Sequence, residues 1–236
     1  TKHFFLFSNL PAQHVPLFQQ HVEHVFERLK KFLEFSEDDS IWHNKCGLYL
    51  CGNRARFDTF AKEVAKYPKG VESGGFFVHS GREAIVCDLF DDRRFSDKEQ
   101  VRQCLNGVSH DVGEAIIQLA GYTEILSPWL RNGMNVFIEF ALENERFQSG
   151  GLVRGQIKAA VSKKVKAGET LAWAEGNQRP DKYTDLEGYG FAYSRIVFLH
   201  TVFPDKKKIP QAIQQIKQGV KEDAAMEQVF GKKIGD

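Results

Sequence analysis

The chain has 236 residues, enough for one large domain or two small ones with a sizeable core. Apolar residues make up 42% and charged residues 27%, which excludes a disordered chain and fits an ordinary globular one. Net charge is +1, so there is no electrostatic case for nucleic acid or an anionic membrane as partner, and no apolar run approaches the roughly 20 residues of a membrane span.

In chain order, His3 to Asn9 reads as a buried strand. Because the chain opens directly into it, removal of a leader or of an upstream domain is expected. Val15, Phe18, Val22, Val25, Phe26, Leu29, Phe32 and Leu33 then recur at spacings of three and four, the apolar stripe of a long amphipathic helix. Cys46 to Cys51 reads as a second buried strand, and Asn53 as the cap of a helix through Phe57, Phe60, Ala61 and Val64. Gly74 to His79 and Glu83 to Leu89 look like two strands joined at Ser80-Gly81. Ser96 to Glu99 is a capping box opening a helix that runs through Val101, Leu105, Val108, Val112, Ile116 and Leu119 to about Gly121. Ser127-Pro128, a Ser cap before a first-turn Pro, starts another helix through Trp129, Leu130, Met134, Phe137 and Phe140. From 145 to 190 the pattern weakens, with short helical stretches between glycines. Tyr193 to Phe203, Ile209 to Val220 and Asp223 to Phe230 read as closing helices. The sum is a single α+β domain over 1–236, with a sheet-containing half at 1–95 and a mainly helical half at 96–236.

Several isolated features carry little chemistry. Cys46, Cys51, Cys87 and Cys104 match no zinc-knuckle or C-x-x-C spacing, and they read as buried free thiols, although an even count also permits disulfides. His14, His21 and His24 read as surface histidines of the first helix, since no acidic or Cys partner stands at ligand spacing. Lys163-Lys164-Val165-Lys166 and Lys206-Lys207-Lys208 read as solvated faces without interleaved aromatics. Gly150-Gly151 lacks the Lys-Ser or Lys-Thr of a phosphate loop, and Tyr193 reads as a core residue.

The informative stretch is Ser109-His110-Asp111-Val112-Gly113-Glu114, followed by Pro128-Trp129-Leu130-Arg131-Asn132-Gly133 and, further on, Phe137 and Glu139. On a helix His110 and Glu114 lie one turn apart on the same face, with Asp111 beside them. Here the chain resembles the gluzincin superfamily of zinc peptidases, and more particularly bacterial peptidase-MA-like domains of unknown function. In that pattern H-E-x-x-H supplies two His ligands and a Glu general base. The next helix supplies a Glu ligand within a frame similar to W-L-x-E-G-x-A-x-Y-x-E; Trp129, Leu130, Gly133, Phe137 and Glu139 stand in register with it. The order of opening strand, long amphipathic helix, strand, Gly-Phe-aromatic strand and motif helix also fits. The resemblance extends over nearly the whole chain, and only 96–140 is specific.

Three of the four positions that the chemistry needs differ: the first ligand position keeps His110, while Asp111 stands for the Glu base, Glu114 for the second His and Asn132 for the third ligand. The summed ligand charge is unchanged, yet an amide oxygen is a weak donor for zinc. Asp also withdraws the carboxylate by roughly 1.5 Å, and a displacement of about 1 Å costs on the order of 100-fold in rate. The resemblance therefore implies a gluzincin-like fold whose site at His110, Asp111, Glu114 and Asn132 is degenerate. It implies a catalytically inactive pseudopeptidase that binds a protein or peptide or serves as a structural subunit, with no metal or other cofactor expected. Together with the chain's abrupt start in a strand, it also implies an extracytoplasmic location. The alternative is a metal-dependent hydrolase holding zinc or another divalent metal through His110 and Glu114.

Overall fold

The structure, a computed structural model, describes residues 1–35, 41–42, 44–67, 74–90, 98–141 and 185–231. The chain forms two compact units, one of Thr1–Lys30 with Ser36–Ala120 and the other of Lys31–Phe35 with Gly121–Asp236. Its described part is α+β, with a four-stranded mixed sheet and several helices.

The sheet lies in the first unit. Strand β1 (Phe4–Ser8) leads through helix α1 (Val15–Phe32) to β2 (Cys46–Cys51), and the two strands pair in parallel with Phe4 opposite Cys46. A parallel pair needs such a crossover, which a two-residue turn could not provide. Helix α2 (Arg54–Thr59) follows, and Asn53 caps it as its sequence predicts: the Asn53 Oδ1 accepts the Arg56 N–H at 3.0 Å. The helix then widens into a π-type turn from Phe60 to Val64. Strands β3 (Gly75–Ser80) and β4 (Glu83–Leu89) form an antiparallel hairpin. Gly81, at φ +59°, supplies the left-handed conformation of its tight turn. β4 inserts between β2 and β3, giving the order β1-β2-β4-β3, and pairs in parallel with β2.

Alternation along the strands divides the core in two. Phe4, Leu48, Leu50 and Val86 are buried on one face, where Phe4 meets Phe26 of α1 and Trp42 edge to face. Cys51, Phe57, Ala61, Phe76 and Cys87 cluster on the other, beneath α2, with Tyr49 and Phe60 against them. The α1 stripe, Phe18, Val22, Val25, Phe26 and Leu29, is buried as its periodicity predicts. His21 shares that stripe and corrects the reading of it as a surface residue: it is 8% exposed. Its Nε2 lies 2.9 Å from the Leu105 carbonyl and 2.7 Å from the Ser109 Oγ. A carbonyl only accepts, so Nε2 carries the proton and fixes α1 to helix α3 (Lys98–Leu119). His24 is exposed, as expected, and His14 is half-buried. The Ser96 capping box lies outside the described residues, and so do Lys163, Lys164, Lys166 and Gly150-Gly151.

The described part of the second unit, beyond the segment 31–35, is helical: α4 (Pro128–Ala141), α5 (Asp185–Val202), α6 (Lys208–Lys217) and α7 (Glu222–Phe230). Pro128 opens α4, while the Ser127 hydroxyl donates to the Glu222 carboxylate at 2.7 Å. Glu222 also accepts the Ser127 N–H and the Trp129 indole N–H, both at 2.9 Å, so an acid from α7 secures this helix start. α4 and α5 approach closely at Gly133, where a Cβ would stand 2.5 Å from the Ala192 carbonyl oxygen. Lys208 is not simply solvated: its ammonium lies over the Phe203 and Phe230 rings and donates to the Val229 carbonyl. Among the described residues no helix is long and apolar enough to cross a membrane.

Candidate functional site

Helix α3 packs on β3 and β4, and this brings part of the sequence motif onto the sheet. Gly107, Asp111, Glu114 and Gln118 fall on one stripe of the helix by their spacing. Gln118 meets the His79 imidazole of β3 at 2.9 Å, which marks one end of the contact. Asp111 marks the other. A Cβ added at Gly75, the first residue of β3, would stand 2.1 Å from the Asp111 Oδ2 and 2.6 Å from the Asp88 Oδ1. Both carboxyl groups therefore press on the bare backbone of Gly75, a position that only glycine can occupy without displacing them.

Asp88 comes from β4, directly opposite Gly75 in the antiparallel register. It is 3% exposed, and its Oδ2 finds no hydrogen-bond partner among the described residues. Burial raises its pKa well above the usual carboxylate range, and the neighbouring charge of Asp111 and a hydrogen bond to that carboxyl raise it further. Burial and the neighbouring carboxyl of Asp111 thus both favour the protonated form of Asp88, because two ionised carboxylates side by side repel.

The predicted site residues are distributed as follows. His110, Asp111 and Glu114 follow one another on α3 in the first unit, each half-buried, with the His110 Nδ1 atom itself buried. Asn132 stands on α4 in the second unit, half-buried in its second turn. Tyr193, on α5, is a core residue, 2% exposed. Burial, and secondarily the charge of Glu139, raises its pKa. Among the described residues no group of three or more His, Cys, Asp or Glu side chains is arranged to hold a metal ion. The donor set of His110, Glu114 and Asn132 offers one imidazole, one carboxylate and one amide, which fits zinc poorly.

Two features have no counterpart in the motif reading. Asp88 was signalled by an acid lying inside the otherwise apolar run Ala84 to Leu89. The second is a thiol pair, Cys51 and Cys87, with sulfurs 3.8 Å apart. No disulfide joins the four cysteines; Cys46, Cys51 and Cys87 are buried and Cys104 is half-buried, which corrects the expectation of burial for Cys104 alone.

The sequence matches no protein-family model, no curated protein and no solved structure.

Proposed function

We propose that the chain is a pseudopeptidase of the gluzincin type, a protein- or peptide-binding or structural subunit that has left metal-dependent hydrolysis. The order β1, α1, β2, the Gly75-Phe76-Phe77 strand and then α3 supports the family reading. So does the Trp129, Leu130, Gly133 frame of α4.

The observation that carries the loss of catalysis is the placement of Asp111. In the resembling peptidases this position bears the general base, which must reach a metal-bound water. Here its carboxyl is pressed on Gly75 and hydrogen-bonded to buried Asp88. A carboxyl engaged with a second acid points its oxygens at the sheet, so it is poorly placed to take a proton from a nucleophile.

Metal content tests the reading. The protein is equilibrated with zinc, freed of loose metal by gel filtration and measured by elemental analysis, beside His110→Ala and Glu114→Ala. No stoichiometric zinc is expected in any of them. About one zinc per chain, lost in both variants, establishes the hydrolase alternative and overturns the proposal.

A further inference from the structure

Cys51 is the last residue of β2 and Cys87 lies on the adjacent β4, where Tyr49 is opposite Cys87 and Cys51 is opposite Leu89. Cys51 and Cys87 are therefore diagonal neighbours on the same face of the sheet, the face beneath α2. Their sulfurs stand 3.8 Å apart within the cluster of Phe57, Ala61 and Phe76. The two are not equivalent. Cys87 is fully enclosed at 0% exposure, whereas Cys51 keeps 9% and is followed by Gly52 at the strand end.

The hydrogen bond with Cys87 lowers the Cys51 pKa, against the effect of burial and with help from Arg56. The same bond, burial, and the charges of Cys51, Asp88 and Asp111 push the Cys87 thiol far up. Cys51 is thus the less enclosed of the two and the one whose thiol is held below its ordinary range, while the Cys87 thiol is held above it. Cys46 does not share this setting. Burial pushes Cys46 up to about 12, and its Sγ contacts the Gly47 carbonyl at 3.7 Å.

We propose that Cys51 and Cys87 form a peroxide-reactive dithiol that closes to a disulfide between β2 and β4. The Cys51 sulfur attacks one oxygen of hydrogen peroxide, the O–O bond breaks, and one water departs, leaving Cys51 as a sulfenic acid. The Cys87 sulfur then attacks the Cys51 sulfur, the S–O bond breaks, and the Cys87 proton leaves with the hydroxide as a second water. Two thiols lose two electrons and one peroxide becomes two waters. The sulfurs must close from 3.8 Å to about 2.05 Å.

The test treats the full chain with hydrogen peroxide under native conditions, then alkylates it in denaturant and maps it by mass spectrometry. The wild type is expected to lose two hydrogens, to protect Cys51 and Cys87 and no other cysteine from alkylation, and to regain both thiols with dithiothreitol. Cys87→Ser should stop at a sulfenic acid on Cys51 that dimedone captures, and Cys51→Ser should give neither product. Far-ultraviolet circular dichroism checks the folding of both variants, and the wild-type map decides the matter without them. Full alkylation of Cys51 and Cys87 after peroxide treatment of the folded protein, or a disulfide that involves Cys46 or Cys104, overturns the proposal.

Discussion

Asp88 and Asp111 present a balance that pH controls. Asp88 is buried, and its folded-state pKa is raised by that burial and by Asp111. The sign follows from proton linkage. A carboxyl with a raised folded pKa binds its proton more tightly in the native state, so its favourable contribution is complete below its ordinary value of 3.8. That contribution is lost as pH rises from there through the folded value. Asp88→Asn keeps the shape and removes the charge. The variant should match the wild type near pH 4 and exceed it in urea midpoint near pH 8, with the gap widening between. Equal midpoints at both pH values would show that Asp88 is not held protonated. Gly75 supports the same pair by lacking a side chain. Gly75→Ala places a methyl against both carboxyl oxygens and should cost about 1–3 kcal/mol by denaturant titration. Adding Asp111→Ala should recover part of that loss, as contacting sites do in a double-mutant cycle. At this scale the sequence was half legible. His110, Asp111 and Glu114 are adjacent in the chain and their common helix is evident from it. Asp88 and Gly75, the neighbours of Asp111, stand opposite each other through strand pairing, and His21 meets Ser109 across 88 residues. The acid inside the apolar run of β4 singles out Asp88, but no local pattern names the residue it meets.

Elements were more legible than contacts, because caps and periodicity are local signals. Asn53, the α1 stripe and the β3–β4 turn lie where the sequence predicts them. The sheet order β1-β2-β4-β3 was not legible, since insertion of β4 between β2 and β3 is settled by which apolar faces meet after collapse. The start of α4 is instructive: Ser127 and Pro128 mark it correctly, yet the Ser127 hydroxyl serves Glu222 of α7, a residue no local pattern associates with it. Gly133 belongs to this scale as well. It stands in the frame of the resemblance, and its physical reason here is the close crossing of α4 and α5. An added methyl would meet the Ala192 carbonyl oxygen at 2.5 Å and the Ile196 Cγ1 at 2.8 Å. Alanine gains about 1 kcal/mol over glycine in helix propensity, but overpacking a helix crossing costs about 1–3 kcal/mol. Gly133→Ala should therefore be destabilising on balance, with a lowered thermal midpoint. A raised midpoint would mean that the crossing relaxes freely.

For the whole molecule, the division into two units falls after α3, at Ala120 and Gly121. The change in sequence character falls earlier, at Ser96, because local patterning registers the switch from strands to helices and not the packing of α3 on the sheet. That division has a measurable consequence. The acid pair, with its pH-dependent contribution, belongs wholly to the first unit, and α6 and α7 belong to the second. If each unit opens by its own cooperative transition, raising the pH weakens only the first. Amide hydrogen exchange on the intact chain reads this directly, once rates are corrected for base catalysis. Between pH 5 and pH 8, protection in β4 and α3 should fall while protection in α6 and α7 holds, and Asp88→Asn should abolish the fall. Parallel loss across all four elements would show that one transition governs the whole chain. A fall that survives Asp88→Asn would place the proton-linked group elsewhere.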